Sequence, residues 1–185
     1  MRVISGTAKG KKLVSREGLE TRPTLDRVKE ALFNIIQFQI SEKRVLDLFA
    51  GSGAIGIEAL SRGAKNATFC DNSNQAIEVI KTNLKNTKFE DKSLVLNKDY
   101  IETLNYLKEQ NSKFDIIYLD PPYKEDFAKN AIDKIFDFEL LSKDGIIILE
   151  TDDLEIEGKL TNDSIEIFDK RKYGRAILIF IRKEY

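Results

Sequence analysis

Apolar positions along the chain fall into short blocks separated by stretches of helical period. Residues 45–50, 66–70, 94–96, 114–119 and 145–150 form compact runs rich in β-branched and aromatic side chains. Each is short and bounded by turn-forming or charged residues, the mark of a buried strand. Between them the pattern changes to apolar residues three and four apart. A helix is expected from Leu25 to about Asn34, with Thr24 as its cap and Asp26 in its first turn. Others are expected from Ala54 to about Arg62, over 75–84 with Ile77, Ile80 and Leu84 on one face, over 101–107 and over 127–136. Strands alternating with helices predict an α/β domain with a parallel sheet and right-handed crossovers. Two further apolar blocks, 165–168 and 176–181, close the chain.

The turn after the first strand is Gly51-Ser52-Gly53-Ala54-Ile55-Gly56, and Asp71 stands twenty residues beyond Gly51. This is the spacing of a dinucleotide-binding fingerprint, including the acid that grips ribose hydroxyls. Asp47, four residues before Gly51, separates the possible ligands. A pyrophosphate gains nothing from a nearby carboxylate, because like charges repel. S-adenosylmethionine carries an ammonium and a sulfonium and no phosphate, so an acid there is useful. The glycines allow close backbone approach, and the helix N-terminus suits a carboxylate. The cofactor expected is therefore S-adenosylmethionine.

The strand at 114–119 stops at Asp120-Pro121-Pro122-Tyr123, which holds two of the three prolines in the chain. A proline pair cannot continue a sheet ladder, so the strand ends there and the chain turns rigidly. At the carboxyl end of such a strand, these residues present a carboxylate, a carbonyl and an aromatic face to a ligand crevice. That set suits methyl transfer to an exocyclic amine. Asp120 and the Pro121 carbonyl accept its two N–H bonds, Pro122 adds no competing donor, and Tyr123 offers a stacking face for a flipped base. A strand-ending turn with a solvated Asp is the plainer reading of the same residues.

These two motifs, in this order, resemble the class I S-adenosylmethionine-dependent amino-methyltransferases. The opening Met1-Arg2-Val3-Ile4-Ser5-Gly6, then Gly10-Lys11-Lys12-Leu13, Thr21-Arg22-Pro23-Thr24 and Arg27-Val28-Lys29-Glu30-Ala31-Leu32-Phe33-Asn34 narrow the likeness. Together with Tyr173-Gly174-Arg175 they look like the RsmD group, which methylates the N2 amine of a guanine in 16S ribosomal RNA. The departures are small: Val3 in place of a commoner Ile, and Thr7-Ala8 in place of bulkier residues. The resemblance implies a Rossmann-like, seven-stranded, mostly parallel sheet with helices on both faces and a closing antiparallel hairpin. It implies residues 1–30 as a basic extension, a hairpin or loop that contacts RNA, and 31–185 as the methyltransferase domain. Asp47, Phe49, Gly51, Ser52, Gly53, Asp71, Asn72, Asp99 and Tyr100 are the implied cofactor residues, with Asp99 near the adenine. Lys11, Lys12, Arg22, Thr24, Arg27, Tyr173 and Arg175 are the implied substrate residues. Arg27 and Lys29 read equally as solvated helix positions and as RNA contacts.

Charge changes the picture less than its sum suggests. The net charge is −1, yet residues 1–30 carry eight basic and four acidic side chains and residues 170–185 carry six and one. The remainder therefore holds −10. Cations concentrated at Lys9, Lys11, Lys12, Arg16, Arg22, Lys170, Arg171, Lys172 and Arg175 fit phosphate binding, while a solvated role fits any single lysine. The expected partner is 16S rRNA or an assembling small ribosomal subunit, met by a monomer. The chain contains no histidine, which excludes Ser-His-Asp chemistry and His-containing metal sites; no metal is expected. One cysteine, Cys70, allows no internal disulfide and fits a reducing cytoplasm. No apolar stretch approaches membrane-spanning length, so no membrane role is expected. Other classes stay open: a DNA adenine or cytosine amino-methyltransferase, a glutamine amide methyltransferase, and an idle ribosome-assembly factor that binds RNA.

Overall fold

The computed structural model describes residues 1–15, 23–122, 126–160 and 162–184, with backbone alone at 23–25. Its strands are β1 (Arg44–Asp47), β2 (Asn66–Asp71), β3 (Ser93–Asn97), β4 (Phe114–Leu119), β5 (Leu141–Thr151), β6 (Ile165–Tyr173) and β7 (Ala176–Lys183). The helices are α1 (Pro23–Ile35), α2 (Ala54–Ser61), α3 (Asn74–Thr87), α4 (Tyr100–Glu109), α5 (Phe127–Asp137) and α6 (Ile156–Lys159). All seven strands form one sheet in the order β3-β2-β1-β4-β5-β7-β6. The first five pair in parallel, and β7 runs antiparallel to both β5 and β6. The expected α/β architecture, mostly parallel with a closing hairpin, is the one observed.

The two faces of the sheet bury separate apolar clusters. Val28, Leu32 and Phe33 of α1, Ile57 and Leu60 of α2, and Ile77, Ile80 and Leu84 of α3 cover one face. Leu104 and Leu107 of α4, Ala131, Ile132 and Ile135 of α5, and Ile156 of α6 cover the other. Strands covered on both sides must be apolar throughout, which explains the unbroken runs in β4 and β5. Among the described residues no helix is long and apolar enough to cross a membrane.

Several boundaries differ from expectation for local reasons. Helix α1 starts at Pro23 rather than Leu25, since a fixed φ and a missing N–H suit the first helical turn. Thr24 therefore lies within that turn instead of before it. A division between residues 30 and 31 would cut this helix. β1 ends at Asp47, yet Leu48 N–H still reaches the Tyr118 carbonyl (3.1 Å) and Ala50 N–H the Cys70 carbonyl (2.8 Å). β5 begins four residues early, because its pairing with β4 shifts register between Phe114 and Ile116. The polar residues of that irregularity hid it from the apolar pattern; Ser142 Oγ donates to Asp115 (2.8 Å). β6 likewise continues through the charged stretch to Tyr173, as an edge strand can.

The amino-terminal residues fold back on themselves and onto the domain. Arg2 and Lys12 form an antiparallel bridge, and Val3 N–H reaches the Lys11 carbonyl at 2.9 Å. Val3, Ala8 and Leu13 are buried in the α1–α3 cluster. Gly6 has φ +84°, and a Cβ there would sit 1.8 Å from the Ser61 carbonyl oxygen, so no other residue fits the contact. The anchor is Glu58 of α2, which is fully buried. Its carboxylate accepts from Ile4 N–H (2.8 Å), Ser5 N–H (3.0 Å) and Arg62 Nε (2.9 Å), and lies 3.5 Å from Lys29 Nζ. Lys29 is thus neither solvated nor free for RNA: it is 3% exposed and donates to the Arg2 carbonyl at 2.7 Å.

Glu58→Ala removes the acceptor from two backbone donors and two cations at once. Its unfolding free energy in urea is expected to fall by roughly 3–5 kcal/mol, the cost of stranding buried partners. A loss below about 1 kcal/mol would contradict the anchoring role.

Candidate active site

The direction of chain crossover reverses beside β1. From β1 the chain moves through α2 to β2 on one side, and from β3 it crosses through α4 to β4 on the other. Loops leaving β1 and β4 diverge, and a crevice opens above the carboxyl ends of the strands. A cavity of about 860 Å³ lies there. Its wall is built from Phe49 after β1, Asp71 and Asn72 after β2, Asp99 and Tyr100 after β3, and Asp120, Pro121 and Pro122 after β4. These are expected site residues, brought together from four strand ends.

Asp71 organises the floor of the glycine loop. One carboxylate oxygen accepts Gly51 N–H and the other accepts Ser73 N–H, both at 2.9 Å. Gly51 and Gly53 adopt φ of +56° and +76°, which places them in the left-handed region where side chains are strained. Gly53 N–H closes the turn onto the Ala50 carbonyl (2.7 Å). Gly56 packs flat on Phe69, where an added Cβ would approach the ring to 2.3 Å. The helix α2 that follows starts without a side-chain cap. Asp99, by contrast, caps α4 by accepting Glu102 N–H at 2.9 Å.

Asp47 takes a different place from its cavity-lining neighbours. It is 1% exposed, lies outside the cavity wall and accepts Gly56 N–H at 3.2 Å, inside the first turn of α2. A carboxylate is favoured at that end of a helix. Burial nevertheless pushes its carboxyl up to about 7, with Asp71 adding to the rise and the Gly56 bond opposing it. Gly51, Ser52 and Gly53 also stand outside the cavity wall. They shape it from behind, and the Ser52 carbonyl is held by Asn83 Nδ2 (2.9 Å).

At the other side of the cavity, burial pushes the Asp120 carboxyl up to about 8, helped by Glu150 and Asp47. Residues not anticipated from sequence complete the wall: Lys98, Ile101, Cys70, Leu48 and Phe127. Phe49, Tyr100 and Phe127 form an aromatic file, with centroids 5.5 Å and 5.2 Å apart. Phe127 belongs to α5, and no spacing rule ties the first residue of that helix to the glycine loop. Burial holds the Cys70 thiol up near 12, beside Thr103 Oγ1 at 2.9 Å, so it is no nucleophile at neutral pH. Among the described residues no group of three His, Cys, Asp or Glu is arranged to hold a metal.

Among the described residues, none of the expected substrate residues lines the cavity. Lys11 and Lys12 are exposed on the amino-terminal hairpin, and Arg27 is exposed on α1. Tyr173 pairs with Ala176 across a turn at Gly174, and Thr151 pairs with Ile177. That register puts Tyr173 and Arg175 at the same edge of the sheet as Asp120. Lys170 and Arg171 of the same hairpin are bonded to Glu157 and Asp169. Arg22, Tyr123 and the Thr24 side chain lie outside the described residues.

Comparison with known proteins places the chain among its relatives. A model of the family described as Conserved hypothetical protein 95 matches residues 1–182. The chain belongs to this family. It is 41% identical over 183 residues to "Putative rRNA methyltransferase YlbH" of Bacillus subtilis, covering 99% of each. It is 38% identical to Ribosomal RNA small subunit methyltransferase D of Haemophilus influenzae, over 82% of this chain and 79% of that protein. The solved structure described as "Putative methyltransferase yhhF from Escherichia coli" matches with a TM-score of 0.85 at 29% identity, over 100% of this chain and 98% of that one. The family description names no activity, so the chemistry must come from the cavity.

The raised carboxyl of Asp47 gives a test of the loop. A carboxyl raised on folding stabilises the native state fully below its ordinary value, and that contribution is lost as pH rises through about 7. Asp47→Asn keeps an acceptor for Gly56 and cannot ionise. It should match the wild type at pH 4 and exceed it by roughly 2–4 kcal/mol at pH 8 in urea unfolding. Parallel pH profiles for the two proteins would refute the assignment.

Proposed function

We propose that this protein transfers a methyl group from S-adenosylmethionine to the exocyclic N2 amine of a guanine in small-subunit ribosomal RNA. The observation that carries the reading is one cavity whose wall holds Asp71 and Asp99 together with Asp120 and Pro121. A donor half and an acceptor half thus share a single open crevice. The relationship to Ribosomal RNA small subunit methyltransferase D, at 38% identity, supports the substrate class.

The residues present fit S-adenosylmethionine better than a phosphate-bearing cofactor. Asp47, Asp71 and Asp99 crowd the donor side with acid, which would repel a pyrophosphate. Asp71 and Asp99 suit hydroxyl and amine donors, and the N–H groups at the start of α2 other than that of Gly56, which Asp47 takes, suit a carboxylate. Phe49 and Tyr100 offer apolar faces for a purine. When bound, this cofactor supplies an electrophilic methyl group on sulfur.

What remains for the protein is to present the amine. Ionised Asp120 accepts one N–H bond, the Pro121 carbonyl accepts the other, and Pro122 offers no N–H in competition. Two acceptors in fixed positions turn the nitrogen lone pair out of conjugation and toward the donor side. The surplus proton passes to Asp120 or to water. Exposed Lys11, Lys12 and Arg175 suit the phosphates around a flipped guanine.

Purified small subunits from a strain lacking this enzyme should accept labelled methyl from S-adenosylmethionine, and mapping should locate it on a guanine N2. Asp120→Ala should bind the cofactor as the wild type does and turn over at least ~100-fold more slowly. Undiminished turnover in that variant would remove Asp120 from the site. RNA affinity should also fall steeply between about 50 and 200 mM salt, as phosphate contacts require; a flat titration would count against phosphate binding by these cations.

A further inference from the structure

A buried pair next to the reacting edge has no part in the scheme above. Glu150, near the end of β5, is 7% exposed, and its carboxylate accepts a hydrogen bond from the Tyr118 hydroxyl, itself 4% exposed. Tyr118 stands opposite Ile148 and Leu119 opposite Leu149. The next step along both strands brings Asp120 beside Glu150. Alternation puts Tyr118, Asp120, Glu150 and Asp47 on the face that carries Ile116, Ile146 and Ile148, the α1–α3 side. A buried carboxylate following the apolar run 146–149 is costly to ionise, and the Tyr118 hydroxyl is the donor that offsets part of that cost.

Building on the reading of Asp120 as the residue that holds the amine, we infer that Glu150 is a positioning residue for methyl transfer: anchored by Tyr118 beside Asp120, it takes negative charge first and so decides when Asp120 becomes a carboxylate, the stronger acceptor. Two neighbouring carboxyls in poor solvent do not ionise together readily. The Tyr118 hydroxyl stabilises charge on Glu150, whereas among the described residues no donor serves Asp120. Burial raises the Glu150 carboxyl and the Tyr118 bond opposes that rise. Asp120 then ionises second, at about 8, against Glu150 on β5 and Asp47 on β1. On α1, Lys29 is turned to Glu58 and compensates neither. From β7, Leu178 packs on this face and brings no charge. Protonated Asp120 keeps a carbonyl acceptor, but a weaker one than the carboxylate, and it cannot take up the surplus proton of the amine, so turnover should climb as pH rises through about 8.

Glu150→Gln keeps the shape and an acceptor for Tyr118 but removes the charge. The readout is carbon-13 NMR of aspartate carboxyls in the cofactor-free protein, with Asp120 assigned by its absence in Asp120→Asn. The Asp120 midpoint should drop by about one pH unit or more, and the acidic limb of kcat should move with it. Cofactor Kd should change less than about twofold, since Glu150 lies outside the cavity wall. Tyr118→Phe, should Glu150→Gln not fold, tests the same point: without its donor Glu150 yields charge, and the Asp120 midpoint again falls. An unmoved midpoint in a folded variant overturns the inference, and so does a moved midpoint with a stationary rate limb. Failure of the wild type to methylate any ribosomal RNA would instead refute the proposed function, and the NMR comparison would still decide whether Glu150 governs Asp120.

Discussion

The reversal of crossover direction beside β1 is the constraint on which the rest of the molecule depends. Because β2 and β4 flank β1 and are reached by opposite routes, their loops diverge and leave a crevice that no helix fills. Every proposed chemical group then stands at the end of a strand whose interior is apolar. Leu46, Ile117, Leu119, Ile147 and Leu149 are all fully buried directly below. Side chains on such strand ends inherit their positions from a close-packed core, which holds a geometry better than a loop does.

The amino-terminal hairpin is fastened into the same frame. Glu58 on α2 holds Ile4 and Ser5, while Asn83 on α3 exchanges hydrogen bonds with Val14 in both directions, at 2.7 and 2.9 Å. The same Asn83 amide reaches the Ser52 carbonyl in the glycine loop. Lys11 and Lys12 therefore sit on a segment tied to the loop behind the cavity. The segment that carries them is registered against the glycine loop through Asn83 and against α2 through Glu58 rather than across a hinge. This is a structural reason for the basic segment to be continuous with the domain in space.

Much of this was legible in sequence wherever one physical demand dominated. Buried parallel strands had to read as apolar runs, and the glycine spacing had to bring Asp71 back to Gly51. Where two demands competed, the pattern misled. Residues 141–144 extend β5 through a register irregularity, so their polarity reads as a loop. Lys29 reads as a surface residue because only the fold reveals the buried Glu58 it meets. Phe127 and Lys98 reach the cavity through tertiary proximity, which leaves no periodic trace. Asp47 was informative for its charge, yet its carboxylate lies beneath the loop, in the first turn of α2, rather than in the cavity wall.

That placement sharpens the electrostatic logic of the site. Asp47, Asp120 and Glu150 all hold their carboxyls above the ordinary range, chiefly because they are buried, and Asp71 adds its charge to Asp47. Carboxyls clustered in so little water are costly to ionise together, and protonation relieves that cost. A ligand that brings positive charge into the crevice offsets the same cost and favours the ionised carboxyls. By linkage, ionising the carboxyls strengthens a cation and binding the cation releases protons from them. A phosphate-bearing ligand would do the reverse, demanding protonation of the acids it approached. Asp120 bears on such a ligand from the cavity wall, while Asp47 and Glu150 would act on it from behind that wall, through their charge alone.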